Sequence, residues 1–178
     1  SDVYKRQALE VGPDKRGQGL VLVTLGRALA DAGRLDGVIA WGGGMGTSVA
    51  TRVMRALPIG FPKIMMCTLA SGDVSKWLGN RDIYIMNPIA EKGINRITRQ
   101  IVTRAAGAIV GMSAARRDDA SESRPLAALT VLGVTTPTVT RCARFIEQRG
   151  WDTMFIHQVG TGATKEDLIR AGEVAAVY

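Results

Sequence analysis

The chain has 178 residues, of which 46% are hydrophobic, and this length is enough for one ordinary soluble domain or two small lobes. Its sequence contains no apolar run near the roughly 20 residues that span a bilayer. Its net charge of +7 comes from scattered basic residues, mostly arginines, with few aromatic residues between them. This pattern indicates attraction for anionic ligands and argues against nucleic acid as a partner. The two cysteines, Cys67 and Cys142, form no CxxC pair and no cluster with histidine, which argues against a zinc site and favours a reducing, cytoplasmic compartment.

The first half of the chain alternates between helix and strand patterns. Residues 1–17 have no hydrophobic period and are predicted to be a non-native or disordered lead before an incomplete start. The elements predicted after them are a helix over Gln18–Ala32 ended by Gly33, a strand over Val38–Trp41, a helix over Thr47–Ala56, strands over Lys63–Cys67 and Asp82–Met86, and a helix over Gly93–Gly111. Residues 18–112 are therefore predicted to form a first α/β lobe.

A charged stretch rich in small residues, 113–125, is predicted to be a linker. The elements predicted after it are a strand over Leu126–Leu132, a helix from Thr136 to Gly150, a strand over Thr153–His157, a helix from Thr164 to Gly172 with Asp167 in its capping box, and a strand from Val174. Residues 126–178 are thus predicted to be the incomplete start of a second lobe. The alternation predicts an α/β fold of two Rossmann-like lobes with mostly parallel, helix-covered sheets.

Three segments rich in glycine and threonine join a predicted strand to a predicted helix: 42–47, 133–137 and 159–164. A helix start exposes unpaired backbone N–H groups, glycines let an anion approach them, and hydroxyls add donors. Ligands of open α/β sheets bind at this carboxyl edge. Because the chain has no GxxxxGK[ST] loop and no GxGxxG after a strand, the alternative that each segment is only a turn stays open.

Further residues could complete such a site. The segment Ser71–Asp73 follows the second predicted strand, where it could hold a hydroxyl or a metal-bridged phosphate, or form a turn or helix cap. Arg96 could clamp an anion or face solvent. With the single histidine His157 and no evident carboxylate pair, the sequence indicates neither catalytic residues nor a protein metal site.

Seven short runs of the chain occur in the same order in a known family. They are LDGVI (35–39), GGGMGT (42–47), LPIGFPK (57–63), ASGDV (70–74), GINRI (93–97), GVTTP (133–137) and HQVGTG (157–162). In these runs, from about residue 15 to the end, the chain resembles the Tm-one-like ATP-binding domain family. The resemblance implies a two-lobed α/β protein that binds ATP in its N-terminal half.

The resemblance also implies that the chain is a fragment. Family members begin with a further strand–helix unit and continue well past Tyr178, some of them into a barrel domain, so we expect truncation at both ends. Two positions depart from the family pattern. Ala163 stands where a glycine is usual, and Met45 replaces a small residue of the first loop, so both bear on how closely a ligand approaches the backbone.

The sequence thus predicts a nucleotide-binding module with ATP as its ligand and Mg²⁺ as an optional accompanying ion. The alternatives are an enzyme acting on a nucleotide or phosphorylated metabolite with catalytic groups outside this segment, and a non-catalytic interaction scaffold. A homo-oligomer is expected, with a C-terminal barrel domain or a separate protein as a further partner. The residues predicted to bind the nucleotide are Gly42, Gly43, Gly44, Gly46, Thr47, Ser71, Gly72, Asp73, Arg96, Thr135, Thr136, Gly160, Thr161 and Gly162.

Overall fold

The computed structural model describes residues 18–115 and 124–178, and describes side chains over 22–115, 124–157 and 164–178. The chain divides between Ala114 and Ala115 into two compact units. The predicted lead over 1–17 and most of the predicted linker lie outside the described residues. Each unit contains three parallel strands flanked by helices, which confirms the predicted α/β class.

The first unit is a parallel sheet of three strands with β2 in the middle, in the order β1-β2-β3. Its elements are α1 (Gln18–Asp31), β1 (Val38–Gly42), α2 (Gly44–Ala56), β2 (Lys63–Cys67), α3 (Ser75–Leu78), β3 (Tyr84–Met86) and α4 (Arg96–Ala114). Gly33, with φ 63°, follows the end of α1, and the Arg34 N–H donates to the Leu29 carbonyl at 2.8 Å. The predicted glycine stop of this helix is therefore confirmed.

The core of the first unit forms on both faces of β2, all five residues of which are buried. Because successive side chains of a strand point to opposite faces, this strand supplies two apolar clusters. On one face Met65 and Cys67 pack with Met54 of α2 and Trp77 of α3, and on the other Ile64 and Met66 pack with Ala105 of α4. A central strand covered on both sides explains why its apolar run is continuous.

An ion pair between a buried lysine and an exposed aspartate joins β2 to the segment before β3 at the amino end of the sheet. The Lys63 side chain is fully buried, and its Nζ donates to Asp82 Oδ1 at 2.6 Å and to the Pro58 carbonyl at 2.8 Å. The second carboxylate oxygen of Asp82 accepts the Gly60 N–H at 2.7 Å. Asp82 therefore serves this network, and β3 begins at Tyr84 instead of at the predicted residue 82.

Several helix boundaries differ from the predicted ones. Helix α2 begins at Gly44, three residues before the predicted start, so two loop glycines lie in its first turn. Helix α4 begins at Arg96 because the Asn95 side chain accepts the N–H groups of Ile97 and Thr98, at 2.9 and 3.1 Å. The Thr98 hydroxyl in turn accepts the Asn95 N–H at 2.9 Å, which completes a reciprocal cap. The short helix α3 was not predicted.

The second unit has its first strand in the middle of the sheet, in the order β5-β4-β6. Its elements are β4 (Leu126–Val131), a 3₁₀ turn (Gly133–Thr135), α5 (Thr136–Glu147), β5 (Asp152–His157), α6 (Gln158–Arg170) and β6 (Ala176–Val177). Leu129 of β4 packs with Val139 and Ala143 of α5 to form the core on that face.

The start predicted for α6 was wrong. The helix begins at Gln158, directly after β5, instead of at Thr164. Gly160 and Gly162 therefore belong to a helix and not to a loop, and Thr164 lies too deep in it to be the N-cap of a capping box with Asp167. Glycine lowers helix propensity by only about 1 kcal/mol, which tertiary contacts such as the burial of Leu168 can offset.

Candidate functional site

The start of α2 presents unpaired backbone donors at the carboxyl edge of the first sheet. Gly43 is the N-cap, with extended backbone and no side chain to bond the helix. The Thr47 N–H makes the first helical bond, to the Gly43 carbonyl at 2.8 Å. Among the described residues, no acceptor meets the N–H groups of Gly44, Met45 and Gly46. Three successive donors therefore remain for an acceptor from outside.

Thr47, predicted to contact the nucleotide, faces the interior. Its side chain is fully buried, and its hydroxyl donates to the Gly42 carbonyl at 3.3 Å. One turn later the buried Thr51 hydroxyl donates to the Thr47 carbonyl at 2.7 Å. The Thr47 side chain thus joins the strand end to the helix, and the open donors at this edge come from the backbone.

The glycines of this loop allow close approach of the backbone. A Cβ atom at Gly42 would lie 3.1 Å from Gly46 Cα, so a side chain there would push the loop off the helix. A Cβ atom at Gly44 would lie 3.3 Å from Leu69 Cδ1. At Gly46 nothing lies within 4 Å of that position, so this glycine borders open space. None of these glycines has positive φ, so spatial closeness and not backbone conformation favours glycine here.

Loops from all three strands meet around the end of β1. The Thr68 N–H, after β2, donates to the Gly42 carbonyl at 3.3 Å. Trp41 Nε1 donates to the carbonyl of Ala90, after β3, at 3.2 Å. These bonds hold the neighbouring loops against the glycine loop, so the loops after the three strands are connected to one another at this edge.

A carboxylate that the sequence reading missed lies against this loop. A Cβ atom at Gly43 would lie 2.7 Å from Glu91 Oε1, so the exposed Glu91 side chain borders the start of α2. A helix start carries partial positive charge and attracts a carboxylate. Only the pairing of two distant segments reveals this contact, because residues 43 and 91 share no sequence pattern.

The backbone is strained beside Glu91. Ile89 has φ 67° although it is β-branched, and the Ala90 N–H donates across it to the Pro88 carbonyl at 2.7 Å. The Ile89 N–H donates to Asn87 Oδ1 at 2.8 Å, and the Ile89 side chain is 73% exposed. Such a γ-turn costs of order 1–3 kcal/mol, and strained turns cluster at functional sites. In the sequence, the Asn87-Pro88 pair is the pattern that could have predicted this turn.

The Ser71–Asp73 segment takes the alternative role left open for it. Asp73 Oδ1 accepts the Ser75 N–H at 2.9 Å at the start of α3. Hydrogen bonds from the Ser75 side chain and then from its backbone lower the pKa of the Asp73 carboxyl. Asp73 therefore forms a turn at the start of α3, and Leu69 is the residue of this loop that reaches Gly44. A ligand contact by Ser71 or Gly72 stays a prediction.

Arg96 is exposed at the first residue of α4. The described part of the chain gives its guanidinium no hydrogen-bond or ion-pair partner, so it is available to an anion. The start of α4 itself is closed by Asn95, unlike the open start of α2.

The remaining predicted residues belong to the second unit. The Thr135 and Thr136 hydroxyls donate to the Leu132 carbonyl, at 3.0 and 3.3 Å, and the Leu132 N–H donates back to Thr135 Oγ1 at 3.1 Å. Both threonines therefore close their own turn. Gly160, Thr161 and Gly162 lie in the first two turns of α6, and side chains there are outside the described residues. The predicted site is thus divided between two units.

Metal ligands and membrane spans can be assessed over the described residues. Over 18–115 and 124–178, no group of three or more His, Cys, Asp or Glu side chains could hold a metal ion. None of the helices in these ranges combines the length and the apolar composition of a membrane span.

Comparison with known proteins gives the family. Residues 18–118 match the N-terminal domain, and residues 124–178 the C-terminal domain, of an uncharacterised protein family, UPF0261. The chain belongs to the UPF0261 family. The two domain matches meet near the boundary between the two units of the structure.

Relatives in this family include bacterial and plant proteins. The chain is 39% identical over 171 residues to a UPF0261 protein of Mesorhizobium japonicum, covering 94% of this chain and 43% of that protein. It is 37% identical over 145 residues to one of Clostridium tetani, covering 80% and 36%. It is 31% identical over 174 residues to the ToMV resistance protein Tm-1(GCR237) of Solanum lycopersicum, covering 90% and 23%. The resemblance to the Tm-one-like family is therefore confirmed, and the chain spans less than half of these UPF0261 relatives.

Proposed function

We propose that the chain is a nucleotide-binding module that holds the phosphates of ATP at the start of α2. The observation that carries the proposal is the row of three backbone N–H groups, Gly44 to Gly46, without an acceptor among the described residues. The helix is 13 residues long and has no acidic residue in its first turn, so its partial positive charge is not offset from within. Phosphate is the ligand that such helix starts bind.

Exposed apolar side chains near the same edge support a nucleotide over a bare phosphate. Met45 is 76% exposed in the first turn of α2, and Leu69 is 48% exposed beside Gly44. Ile89 is the exposed central residue of the strained turn after β3. A purine ring needs apolar surface together with a few polar contacts. The implied ATP binding of the Tm-one-like family agrees with this chemistry, and Arg96 is a candidate counter-charge for the phosphates.

Glu91 is a candidate ligand for Mg²⁺ at the proposed site. Its carboxylate borders Gly43, where it would repel a phosphate bound at the α2 start. Mg²⁺ is usually bound by one or two carboxylates together with phosphate oxygens and water. The residues present fit this arrangement, with Glu91 as the protein ligand and the phosphates of ATP as the others. The ion would supply positive charge that offsets the repulsion between the Glu91 carboxylate and the phosphates.

The test is a calorimetric ATP titration of the chain and of Gly46→Val. Valine at 46 enters open space, so the fold should survive while the side chain covers the donors. We expect affinity to fall at least about tenfold, a loss of about 1.4 kcal/mol. Gly107→Val is the matched control, because Gly107 also lies in a helix and also borders open space.

Two results would contradict the proposal. One is an ATP affinity of folded Gly46→Val equal to that of the unsubstituted chain. The other is an equal loss in Gly107→Val, which would indicate a general effect of valine in a helix. Product analysis after incubation with ATP would separate binding from turnover, because a pure binding module leaves the nucleotide intact.

A further inference from the structure

The connection from β3 to α4 contains a strained turn that neighbouring groups hold in place. Pro88, the first residue of the turn, is fully buried, and Ile89 at its centre has φ 67°, a conformation that β-branched residues rarely adopt. The Ile89 N–H donates to Asn87 Oδ1 at 2.8 Å, and the Ala90 N–H donates to the Pro88 carbonyl at 2.7 Å. The Ile89 side chain is exposed, so these surrounding contacts, and not its own packing, keep the strain in place.

A hydrogen bond from the sheet holds the last residue of this turn. Trp41, the next-to-last residue of β1, donates from Nε1 to the Ala90 carbonyl at 3.2 Å. Its side chain packs against the apolar cluster that contains Ile64 and Met66, so the core fixes the donor. The free energy of one hydrogen bond and the strain of one residue at positive φ are similar in size, so the loss of this bond can change the conformation of the turn.

The residue after the turn is Glu91, whose carboxylate lies beside Gly43 at the start of α2. Among the described residues, this carboxylate has no hydrogen-bond or ion-pair partner. Its position therefore depends on the backbone that leads to it, and Glu91 directly follows Ala90, which Trp41 holds. A return of Ile89 to negative φ would change the direction of the chain and move the carboxylate away from Gly43.

We propose that Trp41 and Ile89 are positioning residues, which together hold the Glu91 carboxylate at the start of α2 so that the site selects a phosphate accompanied by Mg²⁺ over a free oxyanion. This inference rests on the function proposed above. A carboxylate fixed at this place repels a metal-free phosphate and is a ligand for Mg²⁺ when the ion accompanies the phosphate. A turn that releases Glu91 removes the repulsion and the ligand together, so the conformation of the turn determines the metal dependence of binding.

The test measures the affinity of the whole chain for inorganic tripolyphosphate by calorimetry, with and without Mg²⁺. This probe has no base, so contacts between Ile89 and a purine do not affect the result. Trp41→Phe keeps an aromatic ring in the core and removes the N–H donor. We expect its metal-free affinity to rise about threefold and its gain in affinity on adding Mg²⁺ to fall. Tyr84→Phe, at an exposed aromatic residue of β3, is the control and should leave both affinities unchanged.

A second substitution should reverse the effect of the first. Glycine adopts positive φ without strain, so Ile89→Gly added to Trp41→Phe should restore the Mg²⁺ dependence of the unsubstituted chain. Ile94→Gly is the matched control, because it removes an exposed isoleucine from the same connection at a residue without positive φ, and it should restore nothing. Asn87→Ala removes the acceptor of the Ile89 N–H and should act like Trp41→Phe even if Trp41→Phe does not fold.

A measurement without any ligand separates this inference from the proposed function. In the unliganded chain we expect a nuclear Overhauser effect between the α protons of Gly43 and the γ protons of Glu91, because the carboxylate borders this glycine. The effect should weaken in Trp41→Phe and return when Ile89→Gly is added. In the Glu91→Gln background, Trp41→Phe should leave the Mg²⁺ dependence of tripolyphosphate binding unchanged, because the charge that the turn positions is absent.

Three results would overturn the inference. They are an unchanged Mg²⁺ dependence in folded Trp41→Phe or in Asn87→Ala, a restoration by Ile94→Gly equal to that by Ile89→Gly, and an Overhauser effect that Trp41→Phe does not alter. If neither ATP nor tripolyphosphate binds while the Overhauser effects change as expected, the proposed function and the selection of Mg²⁺ are rejected. The positioning of Glu91 by Trp41 and Ile89 is supported in that case.

Discussion

The carboxyl edges of the two sheets carry similar Gly/Thr-rich segments but differ in which polar groups remain without a partner. In the first unit, Thr47 turns its hydroxyl inward and the backbone donors of Gly44 to Gly46 stay open. In the second, the Thr135 and Thr136 hydroxyls donate to the Leu132 carbonyl, and the donors that remain belong to side chains such as that of Lys165. A threonine hydroxyl at a helix start can thus bond within the protein, and it is then not a donor for a ligand.

The two units also differ in strand order. The first runs β1-β2-β3 in chain order, whereas the second places β4 between two later strands. Among the described strands, a switch point therefore occurs in the second unit. The first unit relies instead on loops of successive strands that hydrogen-bond around Gly42. Two units of the same architecture thus differ in how their strands are connected at the carboxyl edge.

The largest expected effect tests whether the units are stabilised separately. Asp82→Ala removes the carboxylate that holds the buried Lys63 ammonium, so we expect about 3 kcal/mol of destabilisation, confined to the first unit. Hydrogen exchange of β2 and β4 amides with denaturant measures each unit. Asp31→Ala, which removes an exposed ion pair with Arg27, is the control and should cost under about 1 kcal/mol. Equal loss of protection in both units would mean that they unfold together.

A smaller effect tests the closed edge of the second unit. Thr135→Val keeps the size of the side chain and removes its two hydrogen bonds with Leu132. We expect a loss of about 1 kcal/mol in the stability of the second unit and no change in ATP affinity. Thr138→Val is the matched control, since the exposed Thr138 hydroxyl has no partner among the described residues. A clear fall in ATP affinity in Thr135→Val would show that this threonine contacts the nucleotide.

A change of a few-fold is expected at Glu91. Glu91→Gln removes the charge beside Gly43, so ATP without Mg²⁺ should bind about threefold more tightly, and added Mg²⁺ should improve its affinity less than in the unsubstituted chain. Titrations with and without Mg²⁺ measure both affinities. Glu173→Gln, on an exposed residue of the second unit, is the control. An unchanged Mg²⁺ dependence would exclude Glu91 as the ion's ligand.

The smallest effect concerns pH and Asp73. Its pKa is lowered in the folded chain by hydrogen bonds from the Ser75 side chain and backbone. The stabilisation is therefore present above the unfolded pKa of roughly 3.9 and is lost as pH falls through the lower folded value. Asp73→Asn should weaken the pH dependence of first-unit stability below about pH 4. NMR titration of the Asp73 carboxyl checks the direction, and a pKa at or above the usual value would refute it.

Parts of the fold and site were readable from the chain alone. Continuous apolar runs marked β2, and the Gly42–Thr47 segment marked a strand-to-helix junction. The same reasoning failed at α6, where glycine and threonine at 160–162 indicated a loop but belong to a helix. It also missed Glu91, the turn at Ile89 and the Lys63–Asp82 pair, because each depends on segments separated in sequence or on backbone conformation.

The sequence by itself determined the alternation of strands and helices, since the repeat of apolar side chains reports which face each element buries. It also determined the family, through motifs at fixed positions. Only the tertiary structure decided which polar groups remain open at each sheet edge. Hydrogen-bond partners are chosen by distance and direction between chain segments, and local composition does not encode them: the threonines at 47 and 135 look alike in sequence, yet one faces the interior and the other closes an exposed turn.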